Sequence, residues 1–255
     1  MATSSYKSRP RGGRWPRRLA WLSVLVVIAA ALLLGGAGPA HRLELVDLGA
    51  AFGLLRQGAY LALGAAVLGL ATLVVASLCR RPRPALVGAL VLATVAAMMV
   101  VPWQMQQRAR QVPAIHDITT DMRDPPAFVA LAPAREAAPN GLAYPGETTA
   151  SQQREAYPDI RPLILNLPLA EAMDAAEATA RQQGWELVDV GDDSLEATAT
   201  TRWFGFKDDV AIRLRDVEDG VRVDVRSASR VGRSDVGTNA ARIRAYLAAL
   251  SRRAE

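Results

Sequence analysis

Residues Trp185 to Ser227 read WELVDVGDDSLEATATTRWFGFKDDVAIRLRDVEDGVRVDVRS. Apolar and polar side chains alternate over Trp185 to Val190, Ser194 to Trp203, Asp209 to Asp216 and Val221 to Ser227, and Gly191-Asp192-Asp193, Gly205-Phe206-Lys207 and Asp219-Gly220 separate these runs. A period of two is that of a strand, and links this short can join only antiparallel neighbours. The stretch therefore predicts a four-stranded antiparallel meander. Alternation puts Leu195, Ala197, Ala199, Trp203, Val210, Ile212, Leu214, Val221, Val223 and Val225 on one face. The other face receives Glu196, Thr198, Thr200, Arg202, Arg213, Arg215, Arg222, Asp224 and Arg226, an arginine-rich surface.

Helical periodicity flanks the meander. Leu169, Ala172, Met173, Ala176 and Ala180 share one helix face over Leu169 to Gln183, with Pro168 near the start and Gly184 just past the end. A second helix spans about Thr238 to Arg252 and buries Ile243, Leu247 and Leu250, with Asp235 or Thr238 suited to cap it. The fold class is α+β, with helix-β-β-β-β-helix order and both helices on the apolar face of the sheet. This soluble domain occupies residues 161–255. Residues 105–160, rich in Pro, Ala and polar side chains and containing Asp124-Pro125-Pro126 and Pro139-Asn140-Gly141, read as an extended connector.

Upstream the chain changes character. Arg18 to Arg42, Arg56 to Arg80 and Arg83 to Arg108 bracket three runs free of Asp, Glu, Lys and Arg, each longer than the roughly 20 residues a helix needs to cross a bilayer core. They predict transmembrane helices at 19–40, 57–79 and 84–104 behind a basic tail at 1–18. Lys7, Arg9, Arg11, Arg14, Arg17 and Arg18 precede the first span, and Arg80, Arg81 and Arg83 fill the link between the second and third. Both segments belong on the cytoplasmic side, so the C-terminal domain is expected outside, periplasmic or extracellular. Cleavage after the small residues Gly38 and Ala40 would leave that placement unchanged. Small residues recur at Gly58, Ala62 and Ala66 and at Ala85, Ala89, Ala93 and Ala97, spacings that let the second and third spans pack closely. No Asp, Glu, Lys, Arg or His lies within a span, which argues for an anchor rather than a pump or channel.

Charge follows the same division. Residues 1–111 hold 13 Lys and Arg against 2 Asp and Glu, net +11, whereas residues 112–255 hold 17 against 23, net −6. The basic pI thus reflects membrane topology and gives no nucleic-acid partner. A lone Cys79 excludes an intrachain disulfide, and with two His it leaves too few ligands for a zinc site built from these residues alone. No phosphate loop or dinucleotide fingerprint follows a strand, so no cofactor is implied.

Three strings stand out: Val112-Pro113-Ala114-Ile115-His116-Asp117-Ile118-Thr119-Thr120-Asp121, Trp203-Phe204-Gly205-Phe206-Lys207-Asp208-Asp209, and Arg226 to Asn239, which reads RSASRVGRSDVGTN. Together they resemble the bacterial family called domain of unknown function 1499 over about residues 112–251, and the three spans ahead look like a membrane-bound form of it. The resemblance implies an α+β domain outside the cytoplasm and carries no activity with it.

The candidate site is the third string. Arg226, Ser227, Ser229, Arg230, Arg233, Ser234 and Asp235 leave the last strand and enter the last helix, whose N-terminal amides favour an anion. His116, Asp117, Thr119, Asp121, Lys207, Asp208 and Asp209 form an associated polar set. In an extended chain Asp117, Thr119 and Asp121 share one side, hard oxygens of the kind that meet magnesium or calcium, yet ordinary turn and ion-pair chemistry accounts for them and no metal is assigned. Gly232-Arg233-Ser234-Asp235-Val236-Gly237 lacks the glycine two residues after the serine that a nucleophile elbow needs. No catalytic residue is assigned. The reading is a protein of the bacterial inner membrane whose external domain binds an anionic lipid, a glycan or an envelope protein, in addition to the bilayer. The alternative is an envelope hydrolase or other enzyme using His116, Asp117 and the string from Ser227 to Asp235. The arginine-rich sheet face is either solvated, or a binding surface, or docks Asp117, Asp121 and Asp124 of the connector.

Overall fold

A computed structural model describes residues 12–255, in two compact units that meet in sequence at Gln104 and Met105. Lys7, Arg9 and Arg11 of the basic tail lie outside the described residues.

The first unit holds α1 (Trp15–Arg42), α2 (Leu48–Leu78) and most of α3 (Pro82–Gln111), helices each long and apolar enough to cross a membrane. Asp47 starts α2 by accepting a hydrogen bond from the Ala50 amide at 2.7 Å. Val27 and Ala30, Ala62 and Ala65, and Val91 and Val95 form the seam where the helices meet. At Gly88 an added Cβ would sit 2.6 Å from both the Gly69 carbonyl oxygen and the Leu73 nitrogen, so only glycine permits this approach of α2 and α3. Gly58 and Ala62 are buried as their spacing suggested, but Ala93 and Ala97 are exposed. The buried stripe of α3 is Pro84, Gly88, Val91 and Val95, a neighbouring face of the same helix.

The second unit holds β1 (Asp117–Thr119), α4 (Ala132–Glu136), α5 (Glu147–Ala156), β2 (Leu163–Leu165), α6 (Leu169–Gln182), β3 (Glu186–Val190), β4 (Ser194–Thr200), β5 (Lys207–Val217), β6 (Gly220–Ser229) and α7 (Thr238–Ala254). The sheet has six antiparallel strands rather than four, ordered β1-β6-β5-β4-β3. The extra two lie in tandem along β6: β1 pairs with residues 226–228 and β2 with residues 221–223. Three residues each are too few to show alternation, which is why the meander alone was readable.

Helices α6 and α7 cover one face. Leu195 and Ala197, Val210, Ile212 and Leu214, and Val221, Val223 and Val225 pack there against Ala172, Met173, Ala176, Ile243, Tyr246 and Leu250. Burying each large apolar side chain contributes about 1.5–3 kcal/mol. Trp185 stacks on Tyr246 at 5.0 Å, and the Tyr246 hydroxyl donates to the Ala176 carbonyl at 3.1 Å. Trp203 departs from its expected place on this face: it is 45% exposed. Strand β4 ends at Thr200, and from Thr201 the chain turns, its amide bonded to Phe206 O and its hydroxyl to Phe206 N. Alternation has no meaning past that point.

The opposite face is covered over most of its area and open only at its rim. Phe128 and Leu131 pack on Ala211 and Ala228, and residues 120–142 lie over Glu196, Asp209, Asp224 and Arg226, all buried. The expected extended connector is instead a third layer of the domain. Its short elements are held by long-range contacts.

Candidate functional site

On the covered face, each buried arginine meets a carboxylate. Arg226 grips Asp117 with two bonds, Nε to Oδ1 at 3.0 Å and Nη2 to Oδ2 at 2.7 Å, and donates further to the carbonyls of Pro126 and Leu142. Arg135, 1% exposed, donates to Asp209 at 3.1 Å and to the Ala228 carbonyl at 3.0 Å. Burial lowers its pKa, and the facing Asp209 opposes that shift. The guanidiniums of Arg135 and Arg226 both lie over the Phe128 ring, 4.5 and 4.7 Å from its centre. Arg230 and the Thr198 hydroxyl complete the shell of Asp209. Tyr144 stands over Arg226, its hydroxyl pushed up to about 12 by burial and by Asp117.

Farther along the sheet, Arg213 and Arg222 share Asp224 and Asp121, and Arg215 reaches Asp124 at 2.6 Å. The hydrogen bond from Arg215 and the charge of Arg213 hold Asp124 below its usual range. Glu196 accepts the amides of Val129, Ala130 and Leu131 at 2.7–3.0 Å, fixing the approach to α4. Asp117, Asp121 and Asp124 of the connector thus dock on this face.

Ser227 and Ser229 project to the helix side, as their odd register requires. Ser227 donates to Asn239 Oδ1 at 2.7 Å and accepts from Arg242 at 3.0 Å. Asn239 Nδ2 donates to the Ser229 hydroxyl and to the His116 carbonyl, each at 3.0 Å. Arg242 also bonds Asn239 and reaches Asp208 at 2.6 Å. Asn239, Arg242 and Gln153 escaped the sequence reading. Gln153 is fully buried and bonds both backbone groups of Thr119. Asn239 had a readable signal, because it heads the apolar stripe of Ile243, Tyr246 and Leu250 with an amide side chain.

The start of α7 is already occupied by a carboxyl group of the chain itself. Asp235 accepts the amides of Gly237 at 2.8 Å and Asn239 at 2.7 Å, and Ser234 accepts that of Val236 at 3.2 Å. Burial raises the Asp235 pKa, although those amides pull the other way. Gly237 occupies the left-handed region at φ 78°, which lets the chain turn into the helix. Arg233 lies exposed in the same loop, without an ion pair or hydrogen bond among the described residues, and so does the Lys207 ammonium at the start of β5.

The structure therefore divides the candidate residues. Arg226 and Asp117 join on the connector side together with Arg230 and Asp209; Thr119 bonds Asp121, which pairs with Arg222. Ser227, Ser229 and Asp208 join on the helix side beside the His116 carbonyl. Among the described residues no group of three or more His, Cys, Asp or Glu is arranged to hold a metal ion.

No curated protein matches the chain. A family model described as a protein of unknown function (DUF1499) matches residues 117–250, more than half of the chain, from the first strand of the sheet to the last turns of α7. This chain belongs to the DUF1499 family, with three apolar helices ahead of the family's domain.

Proposed function

We propose that this is a multi-pass protein of the bacterial inner membrane whose C-terminal domain stands outside the cytoplasm as a binding module for an anionic envelope component. One observation carries the reading. The domain's buried sheet-face arginines are neutralised internally, whereas Arg233 and Lys207 are exposed and unpaired among the described residues. The two share one end of the sheet: Arg230, three residues before Arg233, donates its amide to the Lys207 carbonyl. Half-exposed Trp203 projects from the adjoining turn. Cations beside an amphipathic ring suit a phosphate headgroup or an acidic glycan. Nine basic residues on the N-terminal side and in the second link support the external placement.

We favour binding over hydrolysis. Asp117 is committed to Arg226 on the connector side, while the Ser227 hydroxyl is committed to Asn239 and Arg242 on the helix side. A triad needs its acid, histidine and nucleophile in one chain of hydrogen bonds. The test is titration of the full chain, held in nanodiscs of zwitterionic lipid, with short-chain phosphatidylglycerol and with an acidic oligosaccharide. Arg233→Ala with Lys207→Ala should weaken at least one of these at least tenfold, and added salt should weaken it too. Unchanged affinity for both probes would remove this surface as the site.

A further inference from the structure

A groove of about 350 Å³ opens between the first turns of α1 and α3, lined by Arg17, Trp21, Val24, Arg83, Pro84 and Val87 among others. Arg17 and Arg83 sit at its polar end, the third residue of α1 and the second of α3. Val24 lies seven residues beyond Arg17 and Val87 four beyond Arg83, roughly 10 and 6 Å deeper along the helices. The groove is thus basic at its mouth and apolar below. Trp21, exposed to the surroundings, stands at the level between.

The bundle has nothing with which to neutralise these two charges. Residues 1–43 and 48–116 contain no Asp or Glu; the only acids before Asp117 are Glu44 and Asp47, in the link at the other end of the helices. Among the described residues neither Arg17 nor Arg83 makes an ion pair or a hydrogen bond through its side chain. A guanidinium pair next to apolar surface, in spans without internal counterions, calls for an anion that also carries hydrocarbon. We infer that the groove is a binding site for one anionic phospholipid of the surrounding bilayer, its phosphate between Arg17 and Arg83 and an acyl chain along Val24 and Val87. Each guanidinium binds phosphate through paired hydrogen bonds, and two at one mouth offer twice the donors and charge of an isolated arginine. The site is independent of what the external domain binds.

Native mass spectrometry of the full chain in mild detergent tests this, with phosphatidylglycerol, cardiolipin and phosphatidylcholine added in turn. The anionic lipids should remain as a single tight adduct and phosphatidylcholine should not. Arg17→Ala with Arg83→Ala should lower the affinity about thirty-fold, equivalent to about 2 kcal/mol at tenfold per 1.4 kcal/mol, within the range for losing a hydrogen bond to a charged group. Arg14→Ala with Arg18→Ala removes the same charge outside the groove and should cost less than about threefold. Val87→Trp keeps both arginines and fills the apolar part, so it should displace the adduct even if the double alanine variant inserts poorly. Equal losses in the two arginine pairs, equal retention of phosphatidylcholine, or an adduct that survives Val87→Trp would each overturn the site.

Discussion

On the sheet, Arg226 lies 2.7 Å from Asp117 and Arg230 lies 2.8 Å from Asp209, whereas Arg17 and Arg83 lie at the end of the bundle opposite the link that carries its two acids, Glu44 and Asp47. The same side chain is treated oppositely because its surroundings differ. Under the connector, water is excluded, and an uncompensated guanidinium would cost several kcal/mol, so each charge has a counterion built in. At the bundle end the counterion can come from outside the protein, and the chain supplies only the positive partner. A cluster of arginines in sequence is therefore no sign of an anion site until the carboxylates of the same domain have been placed.

The largest effect is expected from removing Arg226. Arg226→Ala strands the buried carboxylate of Asp117 and frees the carbonyls of Pro126 and Leu142, so unfolding of the domain should become easier by about 3–5 kcal/mol. Urea denaturation of the full chain in detergent, read through the Trp185 signal, measures it. Replacing both partners, Arg226→Met with Asp117→Leu, should recover most of that loss, because apolar pairs of similar volume substitute well for buried ions. Failure to recover would mean that the cation over Phe128 matters more than the ion pair.

A smaller effect is expected at Arg230. It is 18% exposed, and Asp209 would keep Arg135 and the Thr198 hydroxyl. Arg230→Ala should cost about 1.5–3 kcal/mol, the range for one hydrogen bond to a charged group. A loss as large as that at Arg226 would show that Arg135 cannot hold Asp209 alone.

At the rim the sheet arginines approach the behaviour of the bundle's. Arg215 and Asp124 are 46% and 62% exposed. Arg215→Ala should cost at most about 1 kcal/mol, and the difference should vanish at about 1 M salt, where screening acts within roughly 3 Å. A loss that persists in salt would place Arg215 with the buried set.

How much of this was legible depended on whether the signal was local. The meander, α6 and α7 announced themselves through periods of 2 and 3.6, and the helix-facing residues of β4, β5 and β6 follow the alternation up to Thr200. Trp203 failed because the same alternation was carried three residues past the end of β4. The connector failed for a deeper reason: β1 and β2 have three residues each and α4 has five, and what fixes them is Asp117 meeting Arg226, 109 positions away, and Glu196 capping amides 65 to 67 positions back. No window of sequence contains both partners. Asp117, Asp121 and Asp124 were recognisable as counterions for the arginine face, but only tertiary structure could choose between docking and solvation.

The last contrast is between two aspartates, and it concerns pH. Asp124 is exposed beside Arg215, and its lowered pKa means that its contribution is present above the ordinary value of 3.8 and is lost as pH falls through the lowered one. Asp235 is largely buried at the start of α7, and its raised pKa reverses the sign. The folded state then binds the Asp235 proton more tightly than the unfolded chain does. Its contribution is greatest below pH 3.8 and declines as pH rises through the raised value, then stays level. Asp235→Asn cannot ionise and keeps one acceptor for the Gly237 and Asn239 amides, so at low pH it should cost no more than about 1 kcal/mol, as for a weakened cap. As pH rises from 3.8 the gap between wild type and variant should narrow, and it should then stay constant. Denaturation of both proteins across that window, at fixed salt, gives the slope directly. A gap that widens with pH would show that the two capping amides outweigh burial and hold Asp235 ionised, placing it with the internally compensated carboxylates of the sheet.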